Sequence, residues 1–107
     1  MTSTSRVPAP RTVPVDLGSR SYPVLIGSGL IGTAGEHIER HCGGRRTAIV
    51  TDSNVARNHL AALEASLGAR NRGTVVVDAG EASKTFTTLA RVADDLLAAG
   101  VERGDLV

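Results

Sequence analysis

Two short apolar runs, Ala48-Ile49-Val50 in RRTAIVTD and Thr74-Val75-Val76-Val77 in RGTVVVD, lack the polar alternation of a strand with one wet face. Unbroken runs of this length read as strands covered on both sides, as in a parallel sheet. Between them Val55, Leu60, Leu63 and Leu67 keep helical spacing as far as Gly68, with Asp52 or Ser53 placed to cap the helix. After the second run Phe86, Leu89, Ala93 and Leu96 or Leu97 mark another helix, which stops at Gly100. Strand, helix, strand, helix in this order predicts right-handed crossovers and a parallel sheet with helices on both faces, an α/β fold.

What precedes this unit reads differently. Val13, Val15 and Leu17 alternate with other residues, Gly18-Ser19 interrupts, and YPVLIG resumes, the pattern of an amino-terminal β-hairpin whose turn places Gly18 at positive φ. A helix is expected from Ala34 to Cys42, ended by Gly43-Gly44. Residues 1–12, rich in Ser, Thr, Pro and Arg, read as a disordered leader to a domain occupying 13–107. At the far end Gly104-Asp105 open what reads as a new strand just before Val107, so the expectation is a partial domain, the front piece of a longer protein.

Composition narrows the function classes. A chain of 107 residues holds one domain at most. A formal net charge of +1 gives no electrostatic reason to expect nucleic acid or an anionic membrane, and 2% aromatic residues argue against a base-stacking surface. The apolar runs are too short to span a bilayer, and MTSTSRVPAPRTVP has no apolar signal core. A single cysteine, Cys42, forms no internal disulfide and fits a reducing compartment, so a cytoplasmic location is expected.

The polar residues that carry chemistry cluster at the strand-to-helix junctions. In TDSNV, Asp52 stands where a carboxylate accepts hydrogen bonds from a ribose diol, although capping by Asp52 or Ser53, with Asn54 in the first turn, is the commoner role of such residues. GEASKT, Gly80 to Thr85, occupies the next junction. Because parallel strands end at one sheet edge, Asp52, Asn54, Glu81 and Lys84 are expected to converge on one crevice. There Lys84 offers a point charge to a phosphate or hydroxyl and Glu81 binds hydroxyls, while Ser83 and Thr85 are placed to cap the helix; capping plus a solvated ion pair is the competing reading.

Two other patterns carry less. His37 and His41 have the i, i+4 spacing of zinc ligands, but no third ligand is evident, and Glu36, His37, Glu39 and Arg40 are expected on the wet side of a helix whose Ile38 faces the core. Gly27, Gly29 and Gly32 match part of a dinucleotide-loop spacing, yet the preceding strand belongs to the hairpin, so they read as a tight connection. No nucleophile–base arrangement is found, and Cys42 reads as an inert helix-end thiol.

Taken together and in order, LGSRSYPVLIGSGLI, AIVTDSNVA, AGEASKT and LLAAGVERGDLV resemble the amino-terminal part of the 3-dehydroquinate synthase family, across about residues 13–107. The resemblance implies a Rossmann-like, NAD-binding α/β domain followed by a helical domain that carries a divalent metal, zinc or cobalt, and is absent from this chain. It implies conversion of DAHP to 3-dehydroquinate and phosphate in the shikimate pathway, and a homodimer at full length. Residue by residue, it makes Asp52 and Asn54 contacts of the NAD adenosine side and places Gly80, Glu81, Ser83 and Lys84 along the cofactor; Ala79 stands where the family often has Asp and receives no role. The glycine-rich phosphate loop, the metal ligands and most substrate contacts of the family fall outside these residues, so no catalytic residue and no metal ligand is expected within them, and the chain alone is expected to be inactive and to bind NAD weakly. Inosose- and valiolone-forming sugar phosphate cyclases share this front end, polyol dehydrogenases match it less well, and a stand-alone nucleotide-binding or regulatory module is the reading from another class.

Overall fold

The structure, a computed structural model, describes residues 10–80 and 84–107, which fall into two compact units. In the first, β1 (Arg11–Val15) and β2 (Tyr22–Ile26) pair antiparallel, with Val13 opposite Val24. The hairpin forms as its residues predict: Gly18 adopts φ 65°, and Ser21 Oγ donates to the Gly18 carbonyl at 2.7 Å while accepting the Leu17 N–H at 2.8 Å. The first strand begins at Arg11 rather than Val13, so Arg11 and Thr12 pair in the sheet instead of belonging to a leader; residues 1–9 lie outside the described residues. Gly27 follows β2, and a Cβ there would stand 3.1 Å from Pro10 Cα, as a tight connection requires.

The second unit, residues 31–107, begins with a 3₁₀ turn, Ile31–Thr33, and continues through α1 (Ala34–Cys42), β3 (Thr47–Asp52) and α2 (Ser53–Val55). A π-helical turn (Ala56–Leu60) joins α2 to α3 (Ala61–Leu67), followed by β4 (Asn71–Val77) and α4 (Phe86–Ala98). Helix α1 stops where Gly43 takes φ 68° and donates its N–H to the Glu39 carbonyl. Helix α3 likewise stops at Gly68, φ 57°, a left-handed position that glycine takes without steric cost. The π turn widens the helical register, and Asn58 Nδ2 donates to the Asn54 carbonyl at 3.1 Å, satisfying an acceptor in that turn.

Strands β3 and β4 are parallel, with Val50 opposite Val75 and Asp52 opposite Val77. Thr47 pairs with Asn71 of β4 and also with Leu106, so the chain returns after α4 to the other side of β3. Two bonds fix that return, Ala48 N–H to the Leu106 carbonyl and Leu106 N–H to the Arg46 carbonyl, each 2.9 Å. The expected strand near Asp105 therefore exists as a single bridge, and β3 is central between β4 and Leu106.

Paired residues of a parallel sheet share a face. Thr74 donates to Glu64 of α3 at 2.7 Å on one face, while Gly73 lies against Ala99 on the other, where a Cβ would come within 2.9 Å of the Ala99 Cβ. Helices thus cover both faces. The buried apolar residues, Ala48, Ile49, Leu67 and Val75, are the sheet centre and the end of α3. Helices α1 and α3 touch at Gly35, whose N–H donates to Ser66 Oγ at 2.9 Å and where a Cβ would collide with the Ser66 carbonyl oxygen.

Three expectations about faces fail. Val50 is 40% exposed, because α4 lies over β4 and leaves the same face of β3 open. On α4 most of the expected stripe is open, with Phe86 90% and Leu89 61% exposed; of its members Leu96 is partly covered, and so are Thr88, Val92 and Ala99. The helix carries two apolar stripes, and the one beside the small Gly73 packs. His37 is half-buried rather than wet: its Nε2 lies 3.1 Å from Thr33 Oγ1, and Nδ1 is buried with no hydrogen-bond partner.

Candidate functional site

The carboxyl ends of β3 and β4 open into a cleft of about 810 Å³, with Val50, Asp52, Asp78, Gly80, Lys84 and Phe86 among its lining residues. Each side of the cleft is built by a strand-to-helix junction. On the β3 side, Asp52 ends the strand in extended geometry and its Oδ1 accepts the Val55 N–H at 2.8 Å, so the capping role is real and occupies one carboxylate oxygen. On the β4 side, Gly80 takes φ 107°, a conformation that brings backbone to the cleft without a Cβ in the way. Thr85 then caps α4, its Oγ1 accepting the Thr88 N–H at 3.1 Å.

The two junctions are tied together. Ser53 Oγ accepts the Ala79 N–H at 3.2 Å, directly beyond Asp52 and Val77, the last paired residues of the ladder. Ser53, expected only as a cap, thus makes a tertiary bond, and the cap is Asp52.

Of the residues expected to converge, Asp52 and Lys84 line this cleft, and so does Gly80, which the resemblance placed along the cofactor. Asn54 does not line it; it is exposed one turn along, its Oδ1 3.5 Å from Arg57 Nη1. Glu81 and Ser83 lie outside the described residues. Sequence reasoning passed over Asp78, exposed at the end of β4, and Thr88, half-buried on α4. The signal for Asp78 was available, since it ends the second apolar run as Asp52 ends the first.

The cleft therefore combines carboxylates, a lysine and hydroxyls with an apolar wall of Val50, Phe86 and Leu89. Carboxylates can accept from vicinal hydroxyls, the ammonium can meet a phosphate, and the wall can cover a flat apolar group. Asp52 also stands on the strand from which the sheet order reverses, with β4 on one side and Leu106 on the other, the position outside which open α/β sheets bind their ligands. Among the described residues no three His, Cys, Asp or Glu side chains group to hold a metal. No helix among them is long and apolar enough to cross a membrane.

Comparison with curated proteins finds relatives by sequence. Over 98 residues the chain is 51% identical to the 3-dehydroquinate synthases of Brucella ovis and Brucella melitensis biotype 1, a match covering 90% of this chain and 26% of each relative. Over that stretch it is a homologue of 3-dehydroquinate synthases. The synthase of Mesorhizobium japonicum agrees, 49% identical over 100 residues, 92% of this chain and 26% of its own length. The chain thus spans about a quarter of the length of the synthases it matches. No protein-family model matches it.

Proposed function

We propose that this chain forms part of the dinucleotide-holding domain of a 3-dehydroquinate synthase, with NAD seated in the β3–β4 cleft. The observation that carries the reading is the place of Asp52, at the carboxyl end of the strand where the sheet order reverses and on the wall of a cleft that also holds Gly80 and Lys84. The identity to named synthases supports it independently.

In this reading Asp52, through the oxygen that does not cap α2, accepts from the adenosine ribose. The Gly80 backbone lies along the cofactor, Lys84 neutralises phosphate charge, and Val50, Phe86 and Leu89 exclude water from its apolar surface. Asn54 contributes from the adjoining turn, and Glu81 and Ser83 belong to the set that this reading assigns to the cofactor. NAD when bound would supply the oxidation and re-reduction that flank loss of phosphate from DAHP before ring closure to 3-dehydroquinate, a step of the shikimate pathway to the aromatic amino acids. The chain's own residues bind and orient, and no reaction step is assigned to zinc or cobalt here. A cytoplasmic, homodimeric synthase is the setting this reading implies.

The test is titration of the 107-residue chain with NAD, followed by amide NMR. Shifts that saturate in the millimolar range and centre on Asp52, Gly80 and Lys84 are the expected result, with no dehydroquinate formed from DAHP. Shifts scattered over the surface, or none, would refute the site.

A further inference from the structure

The ladder of the parallel sheet ends at Asp52 opposite Val77. Beyond that rung the chains diverge, β3 into α2 and β4 into the loop that carries Gly80 and Lys84. Two residues past that rung on the β4 side, the Ala79 N–H is part-buried and lies beyond the last paired residue of the ladder. A side chain takes over: Ser53 Oγ accepts it at 3.2 Å, joining residues 26 apart in sequence. Ser53 itself is the first residue of α2, held in place because its neighbour Asp52 caps that helix through the Val55 N–H. Gly80, immediately after the clamped amide, then turns through φ 107° toward the cleft.

We propose that Ser53 is a positioning residue for the cleft: by holding the Ala79 N–H it sets the separation between Asp52 on one wall and Gly80 on the other. Ser53 touches no ligand in this account, and the proposal rests on the dinucleotide reading above. The hydroxyl extends the sheet by one rung where the backbone cannot. Removing it leaves a part-buried N–H unpaired and releases the loop at the residue before its glycine pivot.

The experiment compares Ser53→Ala and Ser53→Thr with the wild-type chain by amide hydrogen exchange and by NAD titration. In Ser53→Ala the Ala79 amide should exchange faster while Val75 and Val76 in the ladder keep their protection. NAD affinity should fall by roughly three- to tenfold, the span of one neutral hydrogen bond. Ser53→Thr, which keeps the acceptor, should restore both. Unchanged Ala79 exchange in Ser53→Ala overturns the clamp, and so does faster exchange with unaltered NAD affinity. A wild-type chain that shows no NAD shifts overturns the dinucleotide reading and this proposal with it, which separates that failure from a failure of Ser53 alone. Should Ser53→Ala not fold, Ser53→Cys keeps the bulk with a much weaker acceptor and decides the same outcomes.

Discussion

At the amino edge of the β3–β4 sheet, Arg70 donates from Nη1 to the Gly43 and Arg45 carbonyls, each at 3.0 Å, and from Nη2 to Glu39 at 2.7 Å; at the carboxyl edge Asp52 uses one oxygen as a cap and faces an open cleft. The amino edge is closed further by Arg72, whose Nε lies 3.6 Å from Asp105, and by the paired bonds that hold Leu106 against β3. That Arg72 contact is longer than a hydrogen bond and leaves the Nε–H without an acceptor, so it acts as a through-space charge pair. The amino edge is thus closed by guanidinium groups that bond carbonyls and pair with carboxylates, whereas at the carboxyl edge the capping side chains line an open cleft. Stability should therefore be sensitive at the amino edge and in the layers beneath it, and ligand affinity at the carboxyl edge.

The sharpest test of that division is Gly35→Ala. The added Cβ would meet the Ser66 carbonyl oxygen, which is backbone and cannot swing aside, so α1 and α3 must separate. Overpacking of this kind costs about 3 kcal/mol, measurable by urea unfolding. NAD shifts in the fraction that remains folded should be unchanged. A loss of under about 1 kcal/mol, the range of a tolerated swap, would show that the helices part easily.

Next in size is Arg70→Ala. Arg70 is largely covered and serves two carbonyls, so its removal should cost about 2 kcal/mol, whereas Glu39→Ala, removing a partner that is 61% exposed, should cost under about 1 kcal/mol. Equal losses in the two variants would mean that the ion pair, rather than the carbonyl bonds, closes this edge. Arg70→Lys should recover little, since one ammonium cannot reproduce the guanidinium fork.

How far these features could be read beforehand depended on their range along the chain. Helix α1 runs from Ala34 to Cys42 as its pattern predicts, because Gly43 terminates it locally, and the hairpin follows from Gly18 in the same way. The apolar runs identified β3 and β4, since parallel strands covered by helices leave no room for polar alternation. What failed was coverage. A run such as Ala48-Ile49-Val50 says that a face is apolar and not what lies over it, and α4 packs a stripe through Val92 and Leu96, of which periodicity had offered only Leu96. At the cleft, the places of Asp52 and Lys84 were legible because strand ends of a parallel sheet share an edge, whereas that of Gly80 came from the family resemblance. The Ser53–Ala79 bond was not, because it joins residues 26 apart and leaves no local pattern.

Asp52 sits on the boundary between the two behaviours, and two substitutions separate its roles. Asp52→Ala should cost about 1 kcal/mol through loss of the cap and should also abolish the NAD shifts. Asp52→Asn keeps a good capping residue, so its stability should change by under about 0.5 kcal/mol, while NAD affinity still falls because one carboxylate oxygen becomes a donor. Melting curves and NAD titrations on the same samples read both. If Asp52→Asn binds NAD as the wild type does, Asp52 is a cap alone and the dinucleotide reading loses its principal contact.

The smallest effect on stability belongs to the rim of the cleft. Phe86 is the only phenylalanine of the chain and stands 90% exposed at the first position of α4, so burial on folding contributes little there. Phe86→Ser should change the unfolding free energy by less than about 0.5 kcal/mol, as surface substitutions do, while weakening NAD binding if the ring covers the cofactor. Val92→Ala, one stripe round on the same helix and half-buried at the cleft, should cost about 1 kcal/mol, within the range for loss of partly buried methyl groups. The pair distinguishes a helix that packs by one face from one that packs by both. Should Phe86→Ser prove the more destabilising, the outer stripe of α4 is covered in solution, and the carboxyl edge is less open than the amino edge makes it look.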